Sequence, residues 1–220
     1  MSATRRALAD GLGTALLLAA VVGSGIMGER LAAGNVAITL LANSLATGLV
    51  LAALIIAFAP RCGAHFNPVI TVALAFRKEF PRREIPAYVA AQIAGAVLGV
   101  MAAHAMFEQE MVQFSSTVRT GMAQWWSEVV ATFGLVLVVL SCDAKRTWAA
   151  PIAIGGYIAA AYWFTASTSF ANPAVTLARG LSGTFTGIRP QDVAPFVIAQ
   201  LIGAWLALLA DRALHPPAST

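Results

Sequence analysis

Two Asn-Pro pairs, Asn67-Pro68 and Asn172-Pro173, stand 105 residues apart in stretches that carry no charge. Asn is favoured just before a helix and Pro at its first position, so each pair marks a helix start. A helix start carries partial positive charge. A single Asn-Pro pair would be a mere cap, but two symmetry-related ones in apolar runs point to a functional role. Two carboxylates, Asp10 and Glu128, also lie inside apolar runs. Such a residue is costly at membrane depth and is kept for a polar partner. It relays protons, or it accepts hydrogen bonds from backbone N–H groups exposed in an irregular loop. The two cysteines, Cys62 and Cys142, form no CxxC or Cys/His zinc spacing and no disulfide framework. The pattern calls for neither a metal nor a cofactor.

The elements that hold these residues are read from composition. Of 220 residues, 59% are apolar and 11% are charged, and mean hydropathy is +0.76. A soluble domain is about 25% charged, so an ordinary water-soluble enzyme and a disordered chain are both excluded. The basic residues sit in short gaps between apolar runs, which argues for membrane loops and against a nucleic-acid partner. About 20 apolar residues cross a bilayer. Runs at Ala7–Met27, Val36–Pro60, Ile85–Phe107, Gly121–Cys142 and Val193–Ala210 meet that length, and Trp148–Ala178 exceeds it. Cys62–Phe76 is too short to cross, and the long run holds Pro173. Both fit a half-length helix that follows a full one, the second starting near Asn172. Irregular backbone at that depth is tolerated only where protein buries it or it lines a wet cavity. The predicted fold is therefore all-α, with six transmembrane helices and two re-entrant half-helices.

The chain is also written twice. Ala9–Thr14 pairs with Ser127–Thr132, Asn67–Thr71 with Asn172–Thr176, and Ala91–Ala96 with Ala199–Ala204, at offsets of 118, 105 and 108 residues. Three spans separate the copies, so the second is inverted in the membrane. One domain over 1–220 follows, with repeat one at about 7–107 and repeat two at about 121–213. With the N-terminus inside, ten basic residues, among them Lys145 and Arg146, lie on the cytoplasmic side and four outside. This bias places both termini in the cytoplasm and the chain in the inner (plasma) membrane. Gln92 and Gln200 are expected to tie spans three and six to the loops. Gly95-x-x-x-Gly99 and Gly203-x-x-x-Ala207 are small faces for close helix contact.

Gly63-Ala64-His65-Phe66-Asn67-Pro68-Val69 together with Ala171-Asn172-Pro173-Ala174, inside a six-span inverted repeat, resembles the aquaporin/aquaglyceroporin (major intrinsic protein) family over the whole chain. The resemblance implies a passive channel for small neutral solutes, not an enzyme, assembled as a homotetramer. It implies that the half-helices meet head to head, with Asn67, Pro68, Val69, Asn172, Pro173 and Ala174 as the pore motifs. Val69 replaces the usual Ala. It favours the loop-holding role for Asp10 and Glu128, although Asp10 is shorter than the family's Glu. It also puts His65 beside the cytoplasmic pore, the alternative being a His that only packs a loop.

The main departure is Val175, where family members usually carry the Arg of an outer selectivity filter. Counting from the motifs places the other filter positions at Thr47, Ala160 and Ser169. That set predicts a wide, uncharged and weakly polar constriction. Arg179, four residues past Val175, shares its face if the half-helix continues. It is read either as a replacement donor one turn outward or as a solvated residue at the helix end. Val at the Arg position resembles a bacterial subgroup of aquaglyceroporins associated with arsenic resistance. That implies passage of neutral metalloid hydroxides such as arsenite and of methylated arsenicals, besides glycerol-like polyols and water. Two other classes compete: a water-selective or general aquaporin, and an alternating-access transporter with inverted repeats. An intramembrane enzyme is disfavoured, because Asp10 and Glu128 fall in opposite leaflets.

Overall fold

The computed structural model describes residues 1–142 and 148–214. The order is α1 (Ala3–Leu31), α2 (Val36–Cys62), α3 (Pro68–Phe76), a short 3-10 turn (Arg82–Glu84), α4 (Ile85–Met106), α5 (Met122–Ser141), α6 (Ala149–Phe164), α7 (Pro173–Arg179) and α8 (Pro190–Leu214). Helices α1, α2, α3 and α7 each start after a residue whose side chain caps them. Asn35 accepts from the amides of Ala37 and Ile38 at 3.1 and 3.2 Å. Gly63, at φ +86°, ends α2 in the left-handed conformation that glycine tolerates. Lys145 and Arg146 of the expected topology lie outside the described residues.

Among the described residues, five helices are long and apolar enough to cross a membrane. The sixth, α6, has 16 residues, a rise of about 24 Å. The long apolar run is thus helix, then irregular chain from Thr165 to Asn172, then helix. Likewise only Pro68–Phe76 of the first short run is helical. The fold is all-helical and aquaporin-like, and its outer face is an apolar belt that includes Leu12, Leu41, Leu49, Leu98, Leu201 and Trp205.

Small residues let the spans approach. A Cβ on Gly95 would collide with the Gly11 carbonyl, and one on Gly203 with the Val129 carbonyl. These contacts seal α1 against α4 and α5 against α8 in equivalent ways. Gly48 and Gly155 do the same for α2 and α6, where a Cβ on Gly48 would stand 2.6 Å from the Gly155 oxygen. The half-helices are anchored at their far ends. Arg77, the C-cap of α3, donates to both carboxylate oxygens of Asp211 on α8 at 2.7 and 2.8 Å.

Candidate functional site

The two buried carboxylates hold the two irregular segments. Asp10 on α1 accepts from the amides of His65 (2.8 Å) and Phe66 (3.1 Å) and from Gln92 Nε2 (2.7 Å). Glu128 on α5 accepts from the amides of Phe170 and Ala171 (both 2.9 Å), from Ser167 Oγ (2.6 Å) and from Gln200 Nε2 (2.6 Å). His65 and Phe66 are equivalent to Phe170 and Ala171 by the motif offset of 105. Asp10, despite its shorter side chain, reaches both amides. The segments need holding: Ala64, Phe66, Ser169 and Ala171 all have φ between +48 and +52°. Each left-handed non-glycine residue costs about 1–3 kcal/mol and persists only when its surroundings impose it. With their oxygens taken up by N–H and O–H donors, the carboxylates are bracing groups and not free bases.

Each carboxylate shares its glutamine with a threonine. Gln92 Nε2 also donates to Thr71 Oγ1 (2.9 Å), and Gln200 Nε2 to Thr176 Oγ1 (2.8 Å). Those hydroxyls donate in turn to the carbonyls of Asn67 and Asn172, at 3.1 and 2.8 Å. Thr71 and Thr176 were present in the repeat at a fixed offset, and that signal could have assigned them this role.

The two asparagines then cross. Asn67 Oδ1 caps α3 through the Val69 amide (3.1 Å), and its Nδ2 donates to the Ala171 carbonyl (2.8 Å). Asn172 Oδ1 caps α7 through Ala174 (3.0 Å) and Val175 (3.3 Å), and its Nδ2 donates to the Phe66 carbonyl (2.8 Å). A primary amide has two N–H bonds, so each Nδ2 keeps one. Both asparagines line a cavity of about 660 Å³, whereas Pro68, Val69, Pro173 and Ala174 pack behind them. Two helix N-termini thus meet at the middle of the cavity.

At one end stand Thr47, Ser169, Val175 and Arg179, joined by Phe170 and Tyr162. Thr47 Oγ1 and Tyr162 OH are 3.3 Å apart. The expectation for Ala160 is corrected: it is exposed on the outer face of α6 and does not line the cavity. At 100° per residue, Ile158 and Tyr162 share the inward face and Ala160 points away. Counting back from Asn172 failed because the chain between α6 and α7 is irregular. That part of the cavity wall therefore holds the Tyr162 phenol and not the Ala160 methyl.

Arg179 is also not solvated. It is 2% exposed, its Nε donates to the Thr186 carbonyl, and its Cζ lies 3.4 Å from the Phe170 ring centroid. Arg119, in the loop after α4, reaches the same ring at 5.0 Å and donates to the carbonyls of Gly187 (2.8 Å) and Ser167 (3.1 Å). Burial pushes the Arg119 guanidinium below the usual arginine range. Sequence reasoning missed Tyr162, Phe170 and Arg119, since none belongs to a motif.

At the other end His65 lines the cavity, with Nδ1 3.1 Å from Thr71 Oγ1 and its ring edge-on to Phe80 at 4.8 Å. Cys142 and Trp148 line the mouth beyond it. Among the described residues no cluster of His, Cys, Asp and Glu is placed to hold a metal ion.

This architecture has relatives. The family model described as Major intrinsic protein matches residues 1–171. The chain belongs to the major intrinsic protein family. Full-length similarity extends that match through α7 and α8: the chain is 53% identical to Aquaglyceroporin AqpS of Rhizobium meliloti (strain 1021), over 98% of this chain and 92% of that one. It is 31% identical to Nodulin-26 of Glycine max, over 92% and 76% respectively. The X-ray structure of the aquaglyceroporin from Plasmodium falciparum matches with a TM-score of 0.80 over 98% of both chains at 19% identity, which speaks for the fold. As a major intrinsic protein the chain is a multi-pass membrane protein and a passive channel for small neutral solutes, not an enzyme.

Proposed function

We propose that this channel carries glycerol-like polyols, neutral metalloid hydroxides such as arsenite, methylated arsenicals and water. The observation that carries the reading is the pair of amides, Asn67 and Asn172, each with an unused N–H, midway along a cavity whose walls are otherwise largely apolar. An apolar wall strips water from the solute, and the amides replace some of the lost hydrogen bonds. A neutral hydroxylated solute tolerates that exchange and a cation does not, because both helix N-termini face it. Val175 supports the metalloid part. Trivalent arsenic hydroxide is an uncharged mimic of glycerol, and Val175 leaves the outer end without a guanidinium on the first turn of α7.

The filter in this reading is Thr47, Tyr162, Ser169 and Val175, narrower than four small side chains would make it. Repeats 7–107 and 121–213 form one channel domain. The protein sits in the inner membrane with both termini in the cytoplasm and assembles as a homotetramer.

Proteoliposomes test this directly. Stopped-flow light scattering should show uptake of glycerol and of trivalent arsenic hydroxide that rises linearly with the gradient and ignores a pH gradient. Saturable uptake driven by a proton gradient would instead mark an alternating-access transporter. Water flux with neither solute would mark a water-selective pore.

A further inference from the structure

Half-helix α3 and span α8 leave a groove of about 170 Å³ between them. Val69, Val72 and Phe76 line it from α3, and Leu201, Trp205 and Leu208 from α8. On each helix these residues recur every three or four positions, so each helix offers one stripe. From Leu201 to Arg212 the α8 stripe rises about 16 Å, roughly half the hydrocarbon thickness of a bilayer. Phe76, Leu201 and Trp205 are exposed, so the groove opens on the apolar belt. Arg212 lines one end of it, and the Arg82 guanidinium lies over the Phe76 ring, 5.5 Å from its centroid. Both arginines are exposed, and among the described residues neither is in an ion pair. The carboxylates nearby are taken by other bases. Asp211 and Glu79 hold Arg77 at 2.7 and 3.0 Å, and Glu84 holds Arg6 at 2.7 Å. Positive charge is therefore left uncompensated at one end of an apolar groove.

We propose that this groove is a binding site for an anionic phospholipid. One acyl chain lies between the two stripes, and the phosphodiester rests on Arg212 and Arg82. A chain in the groove supplies contacts that an empty space would forfeit, which any lipid tail can do. The headgroup makes the selection. A guanidinium meets phosphate oxygens with paired N–H donors, and a zwitterionic headgroup brings its own cation to compete. A helix from a second copy, about 10 Å across, does not enter a space this small. The bound chain backs onto Val69, next to the Asn67-Pro68 pair that opens α3, so it buttresses the first half-helix from the membrane side.

The test reads Trp205 fluorescence in bilayers of brominated phosphatidylcholine, a quencher, diluted with unbrominated phosphatidylglycerol. The Trp205 signal is the difference between wild type and Trp205→Phe. Phosphatidylglycerol should protect Trp205 as a lipid favoured about thirtyfold over phosphatidylcholine, about fivefold for each guanidinium. Arg212→Gln and Arg82→Gln should each lower that preference about fivefold. Arg83→Gln, in the same short turn but with no place in the groove, should leave it unchanged. Val72→Phe fills the groove from a half-buried position and should abolish the preference with both arginines in place. Protection no greater than bulk dilution gives overturns the inference. So does an equal loss in Arg83→Gln, which would reduce the effect to general surface charge. A Trp205 quenched at no lipid ratio also overturns it, because a second copy then covers the groove.

Discussion

At the residue scale, Val175 is 6% exposed, and its amide is one of the two that Asn172 caps. A guanidinium placed there would enter space already held by Tyr162 and Ser169, one turn from Arg179. Like charges four residues apart on a helix repel. Val175→Arg should therefore reduce glycerol permeability relative to water about tenfold, an added barrier of about 1.4 kcal/mol. A constant ratio in correctly inserted protein would place Val175 away from the constriction. Asn172→Asp should do something different. It removes the amide that donates to the Phe66 carbonyl and sets a carboxylate oxygen against that carbonyl. Potassium leak should rise and the melting temperature in detergent should fall; equal conductance in mutant and wild type would remove Asn172 from the pore.

How much of this site could be read in the sequence differs by residue. The Asn-Pro starts, Asp10 and Glu128 were legible because each is improbable in an apolar run and the repeat states it twice. Ala160 was misplaced because an offset counted through irregular chain carries no helical phase. Arg179 stood undecided between a replacement donor one turn outward and a solvated residue at the helix end; its burial was not read, since it depends on the 180–189 loop folding back so that Thr186 meets it. No spacing within α7 records that event.

At the element scale, the small-residue seams decide whether the spans close. Gly95→Leu would drive α4 off α1 at the Gly11 carbonyl and should leave little folded protein by size-exclusion in detergent. Gly156 also lies within a helix, but a Cβ there meets nothing within 4 Å. Gly156→Ala should be neutral or stabilising by up to about 1 kcal/mol through backbone entropy. If both variants behaved alike, the seam would not be the determinant. The seams were visible as Gly-x-x-x-small spacings. The brevity of α6 was not, because composition alone cannot separate a helix from the apolar irregular chain that follows it.

At the scale of the whole molecule, orientation gives the cavity its two mouths. Cys142 lines the mouth on the His65 side, whereas Cys62 is 4% exposed and donates to the Phe58 carbonyl. The proposed orientation, with both termini cytoplasmic, has a direct test: an impermeant maleimide added outside intact cells should label neither thiol. In inside-out vesicles the same reagent should label Cys142 and spare Cys62. Rapid labelling of Cys142 from outside would invert the topology.

The crossed asparagine amides have a consequence in time. A ribosome delivers the first half of the chain well before the second. The Asn67 amide bonds a carbonyl 104 positions downstream, and the carbonyl of Phe66 receives an amide 106 positions downstream. Until Asn172 is made and inserted, the first re-entrant segment is braced only from its own half, by Asp10, Gln92 and Thr71, and the Phe66 carbonyl lacks its cross-repeat partner. The newborn first half is thus an unfinished membrane protein whose pore is completed only when the second half arrives. A stop codon after Phe66 and no later than Asn172 would leave the cell a fragment whose Phe66 carbonyl has lost the amide that closes it.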